Sequence, residues 1–91
     1  MNLQDAINTK TTFLVDVRTP REFAGGSAIG AVNIPLDRLP SELEQFKGKN
    51  TVVVFCASGG RSSQAQSFLQ QNGIFNVING GAWSYVAMLQ R

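Results

Sequence analysis

The chain has 91 residues, 9 of them Gly and 3 Pro, which suits one small domain over residues 1–91 and leaves no room for two. At 43% apolar and 15% charged it can pack a core, so it is not a disordered tail. Eight basic residues against six acidic give a net charge of +2, and Arg18, Arg21, Arg38 and Arg61 form no run, which argues against a nucleic-acid partner.

The amino-terminal stretch Met1–Lys10 carries Asn2, Gln4, Asp5 and Asn8. It lacks the basic start and apolar stretch of a secretory signal. The longest apolar run, Thr51–Cys56, falls far short of the ~20 residues of a membrane span. A cytoplasmic protein with no membrane partner is expected. The predicted elements begin with a short helix at Leu3–Ile7 and a strand at Thr12–Val17. Thr19-Pro20, a capping residue followed by Pro at the first helical position, predicts a helix over Pro20–Ala24. Gly25-Gly26 marks a turn, and Ala31–Ile34 reads as a strand. Leu39, Leu43 and Phe46 recur at helical spacing, predicting a helix from near Pro40 that Gly48 stops. Thr51–Phe55 is a β-branched and aromatic run, the mark of a strand covered on both faces. Arg61–Asn72 reads as a helix with Ala65, Phe68 and Leu69 inward, Gln64, Gln66, Gln70 and Gln71 mostly outward, and Gly73 as its stop. A strand at Phe75–Ile78, a turn at Gly80-Gly81 and a helix over Gly81–Gln90 complete the series. Trp83, Val86 and Ala87 form the inward side of that last helix. The alternation predicts an α/β fold, a small three-layer domain whose central, mainly parallel sheet carries helices on both faces. Such sheets place ligands at the carboxyl ends of their strands.

No His is present, so a Cys-His or Ser-His catalytic pair is excluded within the chain, and the commonest transition-metal ligand is missing. One Cys makes neither an internal disulfide nor a thiolate cage, so no metal and no cofactor are expected. A reducing compartment would keep the lone thiol free. That thiol is well placed for chemistry. The strand Thr51–Phe55 runs into Cys56-Ala57-Ser58-Gly59-Gly60-Arg61-Ser62, and a helix follows. Small residues let successive N–H groups turn inward as an anion-binding nest. The helix aims unpaired N–H groups and a partial positive charge at the same place. Arg61 adds a permanent cation. Each of these favours a thiolate, so the sulfur needs no His to activate it. A lone Cys after a strand is more often a buried apolar residue, but a core Cys does not call for this loop. Asp16, Arg18 and Glu22 are read as structural, with Arg18 and Glu22 as an ion pair tying strand to helix. Trp83 and Tyr85 are read as core or rim.

The blocks Leu14–Phe23, Gly30–Leu36, Cys56–Arg61 and Asn79–Trp83, in this order, resemble those of a single-domain rhodanese. The resemblance covers nearly the whole chain. Where that family usually has His-Ile-Pro, this sequence reads Ser27-Ala28-Ile29. Ala57 and Ser58 stand where some thiosulfate-using members carry a further cation. The resemblance implies a sulfurtransferase in which Cys56 is catalytic and Ala57, Ser58, Gly59, Gly60, Arg61 and Ser62 bind substrate. A sulfane sulfur would pass from a small anionic donor such as thiosulfate to Cys56 as a persulfide, then to cyanide or a thiol. A monomer is expected, with a sulfur-relay partner protein as a further option. Two alternatives stay open. One is a non-enzymatic or partner-dependent relay or binding module. The other is a phosphatase or arsenate reductase of the Cys-loop-Arg type, whose loop is one residue longer than the Ala57–Gly60 spacing here.

Overall fold

The computed structural model describes residues 1–91. Strands β1 (Phe13–Asp16), β2 (Val32–Asn33), β3 (Val52–Cys56) and β4 (Val77–Ala82) form one sheet in the order β2-β1-β3-β4. Every neighbouring pair is parallel. Helices α1 (Leu3–Asn8), α2 (Pro20–Ala24), α3 (Gly60–Gln71) and α4 (Trp83–Leu89) connect and cover the strands. The chain leaves β1 toward one edge of the sheet and β3 toward the other. The crevice at this reversal, beyond the carboxyl ends of β1 and β3, is where open α/β sheets bind ligands.

Strand β3 is buried along its whole length, and its alternating side chains divide two cores. Val52, Val54 and Cys56 join Ala65 and Leu69 of α3 on one face. Val53 and Phe55 join Ala6 and Ile7 of α1 and Val86 of α4 on the other. This parity decides where the sulfur points. Cys56 shares the face of α3.

The short elements form for local reasons. Asn2 caps α1 by accepting from the Asp5 amide at 2.8 Å. Thr19 and Glu22 close a reciprocal capping box around α2, with Pro20 opening the helix. The expected helix from Pro40 is replaced by two 3-10 helices, Leu36–Ser41 and Leu43–Phe46. Pro40 lies inside the first, where it has no N–H to donate and its ring opposes α-helical continuation. The helical spacing still identified the inward side chains: Leu39 and Phe46 are buried, and Leu43 packs on the same core. Gln66 is half-buried rather than outward, donating to the Val77 carbonyl at 3.0 Å and tying α3 to β4.

The largest correction concerns β4. Phe75 lies outside it and is exposed, whereas Gly80-Gly81 is strand and not turn. The register passes from Val54↔Asn79 to Phe55↔Gly81, so Gly80 is the extra residue of a bulge. The last helix therefore starts at Trp83 instead of Gly81. Gly80 is required by packing: a Cβ there would stand 2.9 Å from Val86 Cγ2 and 3.0 Å from Val53 Cγ1. Gly80→Ala must push α4 off the sheet or strain β4, at a cost of about 1–3 kcal/mol. Urea unfolding should show a lower midpoint. An unchanged midpoint would mean that α4 moves away from β4 freely.

Candidate active site

Three residues, Ala57, Ser58 and Gly59, join Cys56 at the end of β3 to the start of α3. So short a link brings the first turn of α3 back over the sulfur. The N-cap of α3 is Gly59, at φ 105°, a backbone conformation that side chains disfavour. Gly59 has no side chain to accept from the first-turn amides. Cys56 Sγ takes that place, accepting from the Gly59 N–H at 3.0 Å and the Ser62 N–H at 3.4 Å. Sulfur thus satisfies an N–H group that the helix itself leaves unpaired.

The candidate residues divide by position. Cys56 is 1% exposed, so a reagent reaches its sulfur only by way of the loop. Ser62 is buried beside it, with Oγ 3.5 Å from Sγ. Ala57, Ser58 and Gly60 lie exposed along the rim, Gly59 half-buried among them. Burial pushes the Cys56 thiol up, yet the Ser62 hydroxyl and the amides of Ser62, Ser58 and Gly59 together outweigh it. The thiol is brought down from 9.0 to about 7.

Arg61 does not point freely into solvent. Its guanidinium grips the Glu22 carboxylate with both arms, at 2.6 and 3.0 Å. This overturns the expected Arg18–Glu22 pair. Arg18 instead folds back on Asp16 at 2.7 Å, donates to the Gly26 carbonyl at 2.6 Å and lies over the Trp83 ring. Asp16 also accepts from the Ser27 hydroxyl at 2.7 Å, at the turn where the sequence departs from the rhodanese pattern. Both are buried, and both carboxylate oxygens of Asp16 are partnered, so the pair holds the chain between β1 and α2. Glu22 belongs to the loop instead. The capping box presents its carboxylate at the start of α2, and Arg61 reaches it from the start of α3. The Arg61 guanidinium and the Thr19 amide hold the Glu22 carboxyl down at about 2, and Glu22 in turn raises Arg61. Sequence reasoning assigned Glu22 to the wrong partner because the right one is distant in the chain.

Beside Arg61 a cleft of about 350 Å³ opens between Val17, Thr19, Pro35, Leu36 and Asp37. It occupies the crevice that the strand order creates. No helix of the protein is long and apolar enough to cross a membrane.

Residues 2–86 match the family described as the Rhodanese-like domain. The chain is 38% identical over 85 residues to a sulfurtransferase of Allochromatium vinosum, covering 89% of this chain and 79% of that protein. It is 40% identical over 86 residues to the chloroplastic thiosulfate sulfurtransferase 16 of Arabidopsis thaliana, covering 77% and 72%. It spans only about half of two further relatives, 52% and 50% of their lengths. Its fold is similar to the crystal structure of a rhodanese-like domain protein from Staphylococcus aureus, with TM-score 0.77, 33% identity and coverage of 87% and 76%.

The site should make stability depend on pH at two ends. Glu22 titrates lower when folded, so its contribution is complete above 4.5 and is lost as pH falls through about 2. The gap in unfolding midpoint between the protein and Glu22→Gln should close over that range. Cys56 also titrates lower when folded, so its contribution is complete above 9.0 and is lost as pH falls through about 7. Urea unfolding between these values should show the protein gaining on Cys56→Ser as pH rises, by on the order of 2 kcal/mol. A constant gap would mean that the sulfur carries no charge in the native state below 9.0.

Proposed function

Because the chain belongs to the rhodanese-like domain family, we propose that it is a sulfurtransferase that carries a sulfane sulfur on Cys56. The observation that carries this reading is the convergence of the Gly59 and Ser62 amides on one sulfur atom. Those amides favour a thiolate at neutral pH and a nucleophile fixed in direction.

The donor is a small anion such as thiosulfate. The Cys56 thiolate attacks its outer sulfur, and a new S–S bond forms. The bond between the two donor sulfurs breaks, and sulfite leaves with the electron pair. Cys56 then bears a persulfide whose outer sulfur is anionic. The rim of the loop, Ala57, Ser58 and Gly60 with the Gly59 turn, is where that charge meets backbone N–H groups. Arg61 attracts the donor while Glu22 keeps the guanidinium in place. In the second half-reaction a cyanide ion or a thiolate attacks the outer sulfur, and Cys56 leaves as the thiolate. With cyanide the product is thiocyanate. The two halves share one enzyme form, so ping-pong kinetics follow. The cleft beside Arg61 admits the acceptor, whether a small thiol or a thiol carried on a relay partner. The reaction uses no cofactor, and the chain acts as a monomer in a reducing cytoplasm that regenerates thiols.

Intact mass after mixing with thiosulfate tests the proposal. The protein should gain about 32 Da, one sulfur. Cyanide should reverse the gain and release thiocyanate, and Cys56→Ser should gain nothing. The rate of uptake should rise with pH through about 7 and then level off. Absence of any gain with thiosulfate, mercaptopyruvate and a persulfide donor alike would sink the sulfurtransferase reading.

A further inference from the structure

Ser62 Oγ has a single proton, two carbonyl oxygens that accept it, and a third neighbour, Cys56 Sγ, that donates to it as a thiol and competes for the proton only as a thiolate. Asn79 Oδ1 lies at 2.7 Å, the Gly59 carbonyl at 3.1 Å and Cys56 Sγ at 3.5 Å. The identity of the Asn79 atom is settled by its other partner. The Gly81 N–H donates to the same atom at 2.9 Å, so that atom is the amide oxygen and can only accept. At 2.7 Å the Ser62 proton therefore lies toward Asn79. With the proton there, Ser62 turns lone pairs toward Cys56. They accept from a thiol S–H, and the hydroxyl favours the thiolate only when it turns its proton to the sulfur. For Ser62 to donate to a thiolate, its hydroxyl must rotate away from Asn79. The bulge of β4 makes this arrangement. Asn79 is the partner of Val54 in the register, so it shares the face of Val54 and Cys56 and reaches α3.

We infer that Asn79 is a positioning residue that competes with Cys56 for the Ser62 hydroxyl proton, and so sets how readily the sulfur becomes a nucleophile. The inference rests on Cys56 being the reactive group of the proposed function, but its own observable is thiol reactivity and needs no sulfur transfer. Asn79 makes no hydrogen bond to Cys56 and acts through Ser62. Of the charged groups on the elements packed around Cys56, Arg61 of α3 pairs with Glu22 of α2, Arg18 with Asp16 of β1, and Arg38 of the first 3-10 helix with Glu42, while Arg21 of α2 and Asp37 of that 3-10 helix are exposed. Strand β4 contributes no charge. The polar side chains left to tune the sulfur from that side are Asn79 and Ser62.

The pH profile of Cys56 alkylation by iodoacetamide, a neutral reagent, tests this. Asn79→Ala removes the nearer competitor and leaves only the longer contact to the Gly59 carbonyl, so the midpoint should move to lower pH, with thiolate at pH 6 rising about three- to tenfold. In a Ser62→Ala background the same substitution should move nothing. Asn79→Asp keeps an oxygen for the Gly81 N–H, which guards against loss of the bulge, and offers the hydroxyl a stronger acceptor. Its midpoint should move to higher pH, and by less once Ser62 is Ala. A midpoint that stays in place or rises in Asn79→Ala overturns the inference. So does a shift of equal size with and without Ser62. Loss of sulfur uptake in an enzyme whose alkylation profile behaves as described would count against the sulfurtransferase reading alone.

Discussion

Helix α3 starts at a glycine, and its first-turn amides must find an acceptor from elsewhere in the chain. Cys56 Sγ supplies it, and the surrounding structure follows from that contact. The sulfur must end a strand, because only the carboxyl end of β3 leads into the helix. It must sit on the even face of β3, with Val52 and Val54, because α3 packs there. The link must be short and must contain a residue at positive φ, which Gly59 supplies. A Cβ at Gly59 would stand 3.6 Å from Gly81 Cα, an ordinary contact, so glycine is called for there by its backbone angle and not by crowding. The tight loop brings backbone N–H groups onto the sulfur, which is the means by which a neutral cap becomes an anion site.

Two ion pairs frame this junction and do different work. Asp16 and Arg18 are buried, with every oxygen of Asp16 partnered, and they fix the exit of β1. Removing either partner would leave a charge stranded in the interior. Glu22 and Arg61 are each 35% exposed, and they join the start of α2 to the start of α3. An exposed pair contributes little to stability. Its value lies in geometry: a bidentate carboxylate holds a guanidinium plane in one orientation at the mouth of the loop. The cation is thereby partly neutralised before any donor arrives. An anion that binds there meets a fixed, attenuated charge, which suits a site that must release an anion as well as capture one.

Much of this was legible in the residues. The run Thr51–Phe55 announced the central strand, Thr19-Pro20 announced α2, and the small residues after Cys56 announced the loop. These are local signals, each written in a few consecutive side chains. What escaped was written across the chain. Gly80-Gly81 has the composition of a turn, and only the neighbours Val53 and Val86 reveal that Gly80 is a bulge kept small by packing. Glu22 sits helically close to Arg18, and only the fold brings it to Arg61. Asn79 stood only at the head of a block that resembles the family, and its contact with Ser62 was hidden because it depends on the register of β4 against β3. Pro40 did carry a local warning against an α-helix, which the spacing of Leu39, Leu43 and Phe46 masked. Both helix types can turn such residues inward, so burial was readable where helix type was not.

The same contact that makes the sulfur reactive also ties its chemistry to the fold. A thiol is a weak acceptor, and a thiolate is a strong one. Charging Cys56 therefore strengthens the cap of α3 at the moment the nucleophile forms. In the proposed reaction, transfer of a sulfur to Cys56 would move the negative charge one atom outward, from the buried cap toward the exposed rim at Ala57, Ser58 and Gly60. The charge would then leave the Ser62 amide and meet the mouth of the loop, where Arg61 stands. On that proposal the loop serves as two anion sites in series, the buried one holding the nucleophile between turnovers and the open one presenting the cargo. A sulfur carrier needs that order, since a persulfide as deep as the thiolate, which is 1% exposed, would be protected from every acceptor.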